Sequence, residues 1–340
     1  MKKIRLGRTE LMVTACSFGA LPVQRVSEEE AVRILRRAFE GGVNFFDTAN
    51  AYTDSEKKLG LALSGVRGEI IIATKSGGKD RATVQAHIEN SLRMLKTDYI
   101  DLLQFHNPAQ MPDPNDENGP FAAALEAKQK GYVRHIGITN HRVALAEQCI
   151  DSGLFETMQF PFSYIGSERE LALAARCKAA DMGFIAMKGL AGGLLNNAKA
   201  CMNFIKQYDN VVPIWGIQSL AELEEWLALE NAGDFAITGE LRGVMERDIA
   251  ELSGAFCRSC GYCLPCPADI DIPQAARMSR LLRRAPYGPY LTEEYREKMH
   301  RIEGCKHCGA CKSRCPYGLD IPALLADMLA DYEQFRKEHA

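Results

Sequence analysis

The stretch Ile70-Ile71-Ile72-Ala73-Thr74-Lys75, followed by a segment of helical periodicity at 81–95 and then by Ile100-Asp101-Leu102-Leu103-Gln104-Phe105, decides the fold. Each apolar run is strand-sized, and the segment between them carries apolar residues every three or four positions, as a helix with one buried face does. A strand, a helix and a second strand in that order make a parallel βα unit. The pattern recurs, with strand candidates at 13–18, 43–47, 70–75, 100–105, 133–138, 157–161, 183–187 and 211–215 and further helical segments at 28–40 and 168–180. Eight strands within residues 1–245 predict an α/β fold, a closed (β/α)8 TIM barrel. A doubly wound open sheet is the alternative, and no G-x-G-x-x-G follows the first strand to favour it.

A chain of 340 residues is longer than one core usually needs, so a second, smaller domain is expected at 246–340. With 46% hydrophobic and 25% charged residues the chain is composed like an ordinary globular protein and is not expected to be disordered. A net charge of −3 gives no global electrostatic reason for nucleic acid or an anionic membrane as partner. The apolar runs are far too short to span a bilayer. The opening Met1-Lys2-Lys3-Ile4-Arg5-Leu6-Gly7-Arg8 lacks the apolar stretch of a secretory signal, so a cytoplasmic location is expected.

Twelve cysteines in a chain without such a signal point to metal rather than to disulfides. Cys16, Cys149, Cys177 and Cys201 are scattered and read as small buried hydrophobes. The other eight form two runs, Cys257-x2-Cys260-x2-Cys263-x2-Cys266-Pro267 and Cys305-x2-Cys308-x2-Cys311-x3-Cys315-Pro316. The second is the ferredoxin spacing, in which three thiolates hold one cluster and the fourth, before proline, reaches across to another. Paired zinc ribbons are the rival, but four cysteines in one short run ending in Cys-Pro suit two four-ligand zinc sites poorly. Two 4Fe-4S clusters are therefore expected. In the first run Cys266 follows Cys263 after two residues and not three, which leaves open the cluster that Cys266 serves.

An internal repeat joins the runs, because Cys266-Pro-Ala-Asp-Ile-Asp-Ile-Pro273 returns as Cys315-Pro-Tyr-Gly-Leu-Asp-Ile-Pro322. Each copy continues into helical periodicity, at 274–284 and 323–336, with a proline placed to open the helix. This region resembles the helical ferredoxin modules attached to larger oxidoreductases. The second domain is accordingly expected to be small and mainly α-helical.

In a TIM barrel the chemistry is carried at the C-terminal ends of the strands. There the second strand ends Phe46-Asp47-Thr48-Ala49-Asn50-Ala51-Tyr52, the third Thr74-Lys75 and the fourth Phe105-His106-Asn107. Singly these residues have ordinary explanations as caps, solvated charges or packing; on three adjacent strands they form an acid-base set. With Leu6-Gly7-Arg8-Thr9 upstream, they make the region through the eighth strand resemble the aldo-keto reductase family. The resemblance implies that Tyr52 protonates a carbonyl oxygen as hydride arrives, that Lys75 and Asp47 tune it, and that His106 orients the substrate. A neighbouring ammonium is then expected to lower the Tyr52 pKa.

The same resemblance puts Asn140 and Gln159 on the nicotinamide carboxamide, backbone of Gly189, Gly192, Gly193, Gly216, Gln218 and Ser219 around the pyrophosphate, and Glu225 near the adenine. Met187 or Lys188 stands where the family stacks an aromatic ring on the nicotinamide. No Lys or Arg occurs between 211 and 230, where NADP-binding members carry cations, and Glu222 lies near the expected arginine. NAD is thus at least as well suited as NADP. Two functions follow. One is a nicotinamide-dependent oxidoreductase acting on a small carbonyl or alcohol substrate, its clusters exchanging electrons with a ferredoxin or flavoprotein. The other is an electron-transfer or assembly subunit whose barrel is a scaffold with a decayed nicotinamide site.

Overall fold

The computed structural model describes residues 1–252, 256–284 and 287–339. The chain divides into two compact units, one formed by Met1–Gly189 with Asn197–Met245 and the other by Leu190–Asn196 with Glu246–Ala340.

The first unit opens with a hairpin of β1 (Lys3–Arg5) and β2 (Met12–Thr14). Among the described residues, eight parallel strands then close into a barrel: β3 (Ser17–Gly19), β4 (Phe45–Asp47), β5 (Ile71–Ser76), β6 (Ile100–His106), β7 (Val133–Thr139), β8 (Thr157–Pro161), β9 (Gly183–Met187) and β10 (Val211–Gly216). β10 pairs with β3 to complete the ring. The helices around it are α1 (Glu28–Glu40), α2 (Ser55–Leu63), α3 (Arg81–Leu95), α4 (Pro120–Gln129), α5 (Val143–Asp151), α6 (Glu168–Ala179), α7 (Ala198–Ile205) and α8 (Leu220–Ala232), and α9 (Gly239–Glu251) follows.

Local chemistry explains these elements. Ser27 caps α1 by accepting from the Glu30 amide, three glutamates complement the dipole of its first turn, and Ala31, Ile34, Leu35 and Ala38 form its buried stripe. Ser167 and Glu170 cap α6 reciprocally. Phe45, Ala73, Leu102, Ile185, Val212 and Ile214 belong to one buried cluster together with Leu6 and Val13 of the hairpin segment. Gly137 on β7 is required by close approach, since a Cβ there would fall 2.0 Å from Thr157 Oγ1.

The expected first strand, 13–18, is two pieces. Val13 and Thr14 belong to the hairpin, the chain bends at Ala15 and Cys16, and only Ser17–Gly19 enters the barrel. Residues 13–18 are buried on both sides of the bend, so the run conceals it.

The second unit is helical, with α10 (Ile272–Ala275), α11 (Met278–Arg284), α12 (Glu293–His300), α13 (Ala310–Arg314) and α14 (Ile321–His339). Pro273 lies in the first turn of α10. Ile270, Ile272, Met278, Leu282, Met299, Ile302, Leu325 and Tyr332 are among the residues of its core. The Tyr332 hydroxyl, carried into that core, donates to the Tyr290 carbonyl at 2.8 Å. Among the described residues no helix is long and apolar enough to cross a membrane.

Candidate functional site

Strand register gathers the acid-base residues at one end of the barrel. Asp47 lies opposite Ala73 and Lys75 opposite Gln104, so every second residue of β4, β5 and β6 points to the same side of the wall. At the end of that side Lys75 Nζ donates to Asp47 Oδ1 at 2.5 Å and to the Thr48 carbonyl at 2.6 Å. Both side chains are almost wholly buried. Burial drives Asp47 up and Lys75 down towards their neutral forms, and the opposite charge of each resists that shift in the other.

Tyr52 sits in the turn after β4, its amide bonded to the Ala49 carbonyl at 3.0 Å. Lys75 Nζ lies 5.2 Å from the centre of its ring, and the His106 ring meets it edge to face at 5.7 Å. Tyr52 and His106 are partly exposed, unlike the ion pair. The structure therefore brings all four residues together. It corrects the expected tuning of the phenol: burial, and after it the Asp47 carboxylate, hold the Tyr52 hydroxyl above its ordinary pKa. Lys75 meets the ring and directs its donors to Asp47 and Thr48. The hydroxyl stays protonated, as an acid must. His106 is pushed down to about 3, by burial first and by the Lys75 charge second, and is a neutral imidazole at ordinary pH.

Gln104, which the sequence reading passed over, is fully buried. Its Nε2 donates to Asp47 Oδ2 at 3.1 Å and to Gln159 Oε1 at 2.9 Å. A polar residue inside an apolar strand, spaced two before His106, was the available signal. Gln104 Oε1, Asn107 Oδ1 and Arg142 Nη1 are buried with no hydrogen-bond partner among the described residues, and Asn107 holds a left-handed backbone with φ of 49°. These orphaned groups at strand ends suit a polar ligand.

The expected nicotinamide contacts are partly engaged already. Asn140 Oδ1 accepts from the amides of His141 and Arg142 at 2.9 and 2.7 Å. Gln159 accepts from Gln104, and its Nε2 lies 3.7 Å from Met187 Sδ. The Gln218 amide is taken by Glu222 Oε2 at 2.8 Å, and Ser219 caps α8. Gly216 and Glu225 are exposed. Gly189 is buried where a Cβ would fall 2.5 Å from the Trp215 ring. Gly192 and Gly193 belong to the second unit, where Arg277 Nη1 donates to the Gly192 carbonyl at 2.5 Å.

The eight clustered cysteines carry no disulfide. Cys263, Cys266, Cys305, Cys308 and Cys311 line one cavity together with Ile270, Ile272 and Leu325. Among the described residues no three His, Cys, Asp or Glu side chains are grouped to hold a single metal ion. The two runs repeat in conformation as well as in sequence. Ser259, Gly261 and Asp269 have left-handed backbones, and so do His307, Gly309 and Gly318 at the matching positions of the second run. Such turns aim successive amides inward and make the anion-holding nests in which iron-sulfur groups sit. Soft thiols around a cavity edged by nests fit a cluster. Burial pushes the Cys263 thiol up to about 12, and Cys257, Cys260 and Cys311 add to the shift, so taking up iron must release protons.

Comparison with known proteins agrees with both units. The pattern of the aldo/keto reductase family matches residues 15–211, and that of a 4Fe-4S dicluster domain matches residues 256–320. The chain is 34% identical over 209 residues to the L-galactose dehydrogenase of Arabidopsis thaliana, covering 56% of this chain and 66% of that protein. It is 38% identical over 144 residues to a methylglyoxal reductase of Escherichia coli O157:H7, covering 39% and 51%. The chain thus spans between half and two thirds of the length of these curated relatives. A solved aldo-keto reductase from Bacillus halodurans superposes with a TM-score of 0.64 at 23% identity, over 73% of this chain and 96% of that one. One from Klebsiella pneumoniae in complex with NADP and acetate gives 0.62 at 21%, over 72% and 94%.

Proposed function

The chain belongs to the aldo/keto reductase family, and from that premise we propose that its barrel reduces a small carbonyl, or oxidises the corresponding alcohol, with a nicotinamide cofactor, while its cysteine-rich unit holds two 4Fe-4S clusters. The observation that carries this reading is the convergence of Tyr52, Lys75, Asp47 and His106 at one barrel end. When bound, the nicotinamide supplies or accepts the hydride. Tyr52, kept protonated, gives its proton to the carbonyl oxygen as negative charge develops there. His106, neutral, offers that oxygen a hydrogen bond without competing for the proton. Lys75 supplies positive charge beneath the Tyr52 ring, stabilising the phenolate left behind, and Asp47, braced by Gln104, holds the lysine in place. Glu222, set on the Gln218 amide, disfavours a 2′-phosphate nearby and supports NAD over NADP.

For the clusters, the crossed ferredoxin pattern supports grouping Cys305, Cys308 and Cys311 with Cys266, leaving Cys257, Cys260, Cys263 and Cys315 for the other; Cys263 and Cys266 both line the cavity of the second run. A hydride carries two electrons and a cluster one, so exchange between them requires a converter such as a flavin. A ferredoxin or flavoprotein is the matching class of partner. The second reading, an electron-transfer or assembly subunit, draws support from Met187 in place of an aromatic ring and from the internal engagement of Asn140 and Gln159.

Anaerobic titration of iron-loaded protein with NADH and NADPH separates the two. Binding of NADH, with slower or weaker response to NADPH, is expected. Binding of neither would leave only the subunit reading.

A further inference from the structure

The two cysteine runs repeat in sequence and backbone, yet their surroundings differ. In the first, Cys257 and Cys263 are buried. Its one cation, Arg258, is withdrawn between the rings of Phe256 and Tyr317, at 5.3 and 4.9 Å. In the second, Cys308 is exposed. Between Cys305 and Cys315 stand Lys306, Lys312 and Arg314 and no carboxylate, and all three cations are exposed. Lys312 reaches Asp320 at 2.8 Å, but both side chains remain more than half exposed. That carboxylate offsets the Lys312 charge, so Lys306 and Arg314 carry the positive face. Arg314 Nη1 lies 3.5 Å from the Leu264 carbonyl, and Leu264 is one of the few large hydrophobics left in solvent, at 40% exposure.

An exposed cluster ligand, a cationic rim on a chain of net charge −3 and an apolar residue beside them have one use in common. We propose that this face receives a small acidic iron-sulfur carrier protein, which docks with its carboxylates on Lys306 and Arg314 and its apolar contact on Leu264. The inference rests on the reading that Cys305, Cys308 and Cys311 hold a cluster. On docking, one electron passes from the reduced carrier to that cluster; the carrier is oxidised by one electron, the cluster reduced by one, and no bond or proton moves. An iron-sulfur carrier delivers electrons singly, as a cluster accepts them. Opposite charges steer the encounter and set its rate, whereas the small apolar contact keeps the complex short-lived.

The test uses the full chain, reconstituted anaerobically, with iron per chain measured first. A reduced acidic 2Fe-2S ferredoxin is mixed in stopped flow and cluster reduction is followed. The bimolecular rate is expected to fall by about tenfold or more from low to high salt, and by about tenfold in the Lys306→Glu/Arg314→Glu variant, whose remaining rate is nearly salt-independent. Reduced methyl viologen, a small cation, should react with that variant as fast as with the native protein or faster. An unchanged ferredoxin rate overturns the proposal. So does an equal loss with viologen, which would mean that the cations set only the cluster's potential, and so does reaction with an acidic flavodoxin in place of the ferredoxin. If the double variant loses iron, Lys306→Gln and the salt series on the native chain decide on the same terms. A native chain that takes up no iron refutes the cluster reading itself, a failure distinct from slow docking on an iron-replete protein.

Discussion

At the scale of the residue, the buried Lys75–Asp47 pair makes the sharpest predictions. Lys75→Met leaves Asp47 uncompensated, and a buried pair broken on one side typically loses about 3–5 kcal/mol. Urea unfolding should show a loss of that order, and the Asp47→Asn/Lys75→Met double variant should recover much of it; a double variant as unstable as the single would mean that packing, not charge, is at stake. Tyr52→Phe keeps the ring that Lys75 and His106 contact and removes only the hydroxyl, so carbonyl reduction should be abolished with iron content and stability unchanged. Equal loss of iron would show Tyr52 to be a packing residue. His106 titrates lower in the folded chain than in the unfolded one. Its contribution to stability is thus whole above the unfolded value, near ~6.5, and is lost as pH falls towards about 3. An imidazole limb near that unfolded value should accordingly be missing from the pH profile of kcat, and its appearance would mean that the imidazole is more accessible to charge than its burial implies. The gathering of Asp47, Tyr52, Lys75 and His106 was legible because these residues stand at or just after strand ends, where a barrel collects its loops. Gln104 was not, since nothing in a sequence tells a buried amide that braces a carboxylate from one that merely fills a wall.

At the scale of the element, β8 and β9 fall where periodicity placed them, because each is a short apolar run closed by a helix signal. The hairpin of β1 and β2 was hidden, being three residues a strand and polar on one face. The close packing of β7 on β8 was equally invisible, and it can be tested. Gly137→Ala forces a methyl group against Thr157 Oγ1, a hydroxyl with no hydrogen-bond partner among the described residues. Overpacking of that kind costs about 1–3 kcal/mol. Adding Thr157→Ala removes the closest of the clashes, so the double variant should be more stable than Gly137→Ala alone by chemical denaturation. Additive losses would mean that β7 and β8 shift apart without strain.

At the scale of the whole molecule, two units were readable from the change between βα alternation and clustered cysteines. The grouping of Leu190–Asn196 with the second unit was not. Within that grouping Arg277 and Arg284 donate to the Gly192 and Leu194 carbonyls from 85 and 90 residues away, and local sequence carries no trace of such pairings. The partners of the Lys75–Asp47 pair, by contrast, all lie in the first unit: Thr48, Gln104 and, through it, Gln159. Hydride chemistry and cluster chemistry should therefore separate in a single experiment. Cys308→Ala removes one thiolate from the exposed run and is expected to lower bound iron and the yield of cluster reduction by a carrier. NADH-driven carbonyl reduction by the same variant should stay within about twofold of the native rate, since Cys308 is none of the residues proposed to hold or protonate the substrate. Parallel loss of both activities would place the clusters inside the catalytic cycle, with electrons from the second unit required at every turnover and Tyr52 serving only its last proton.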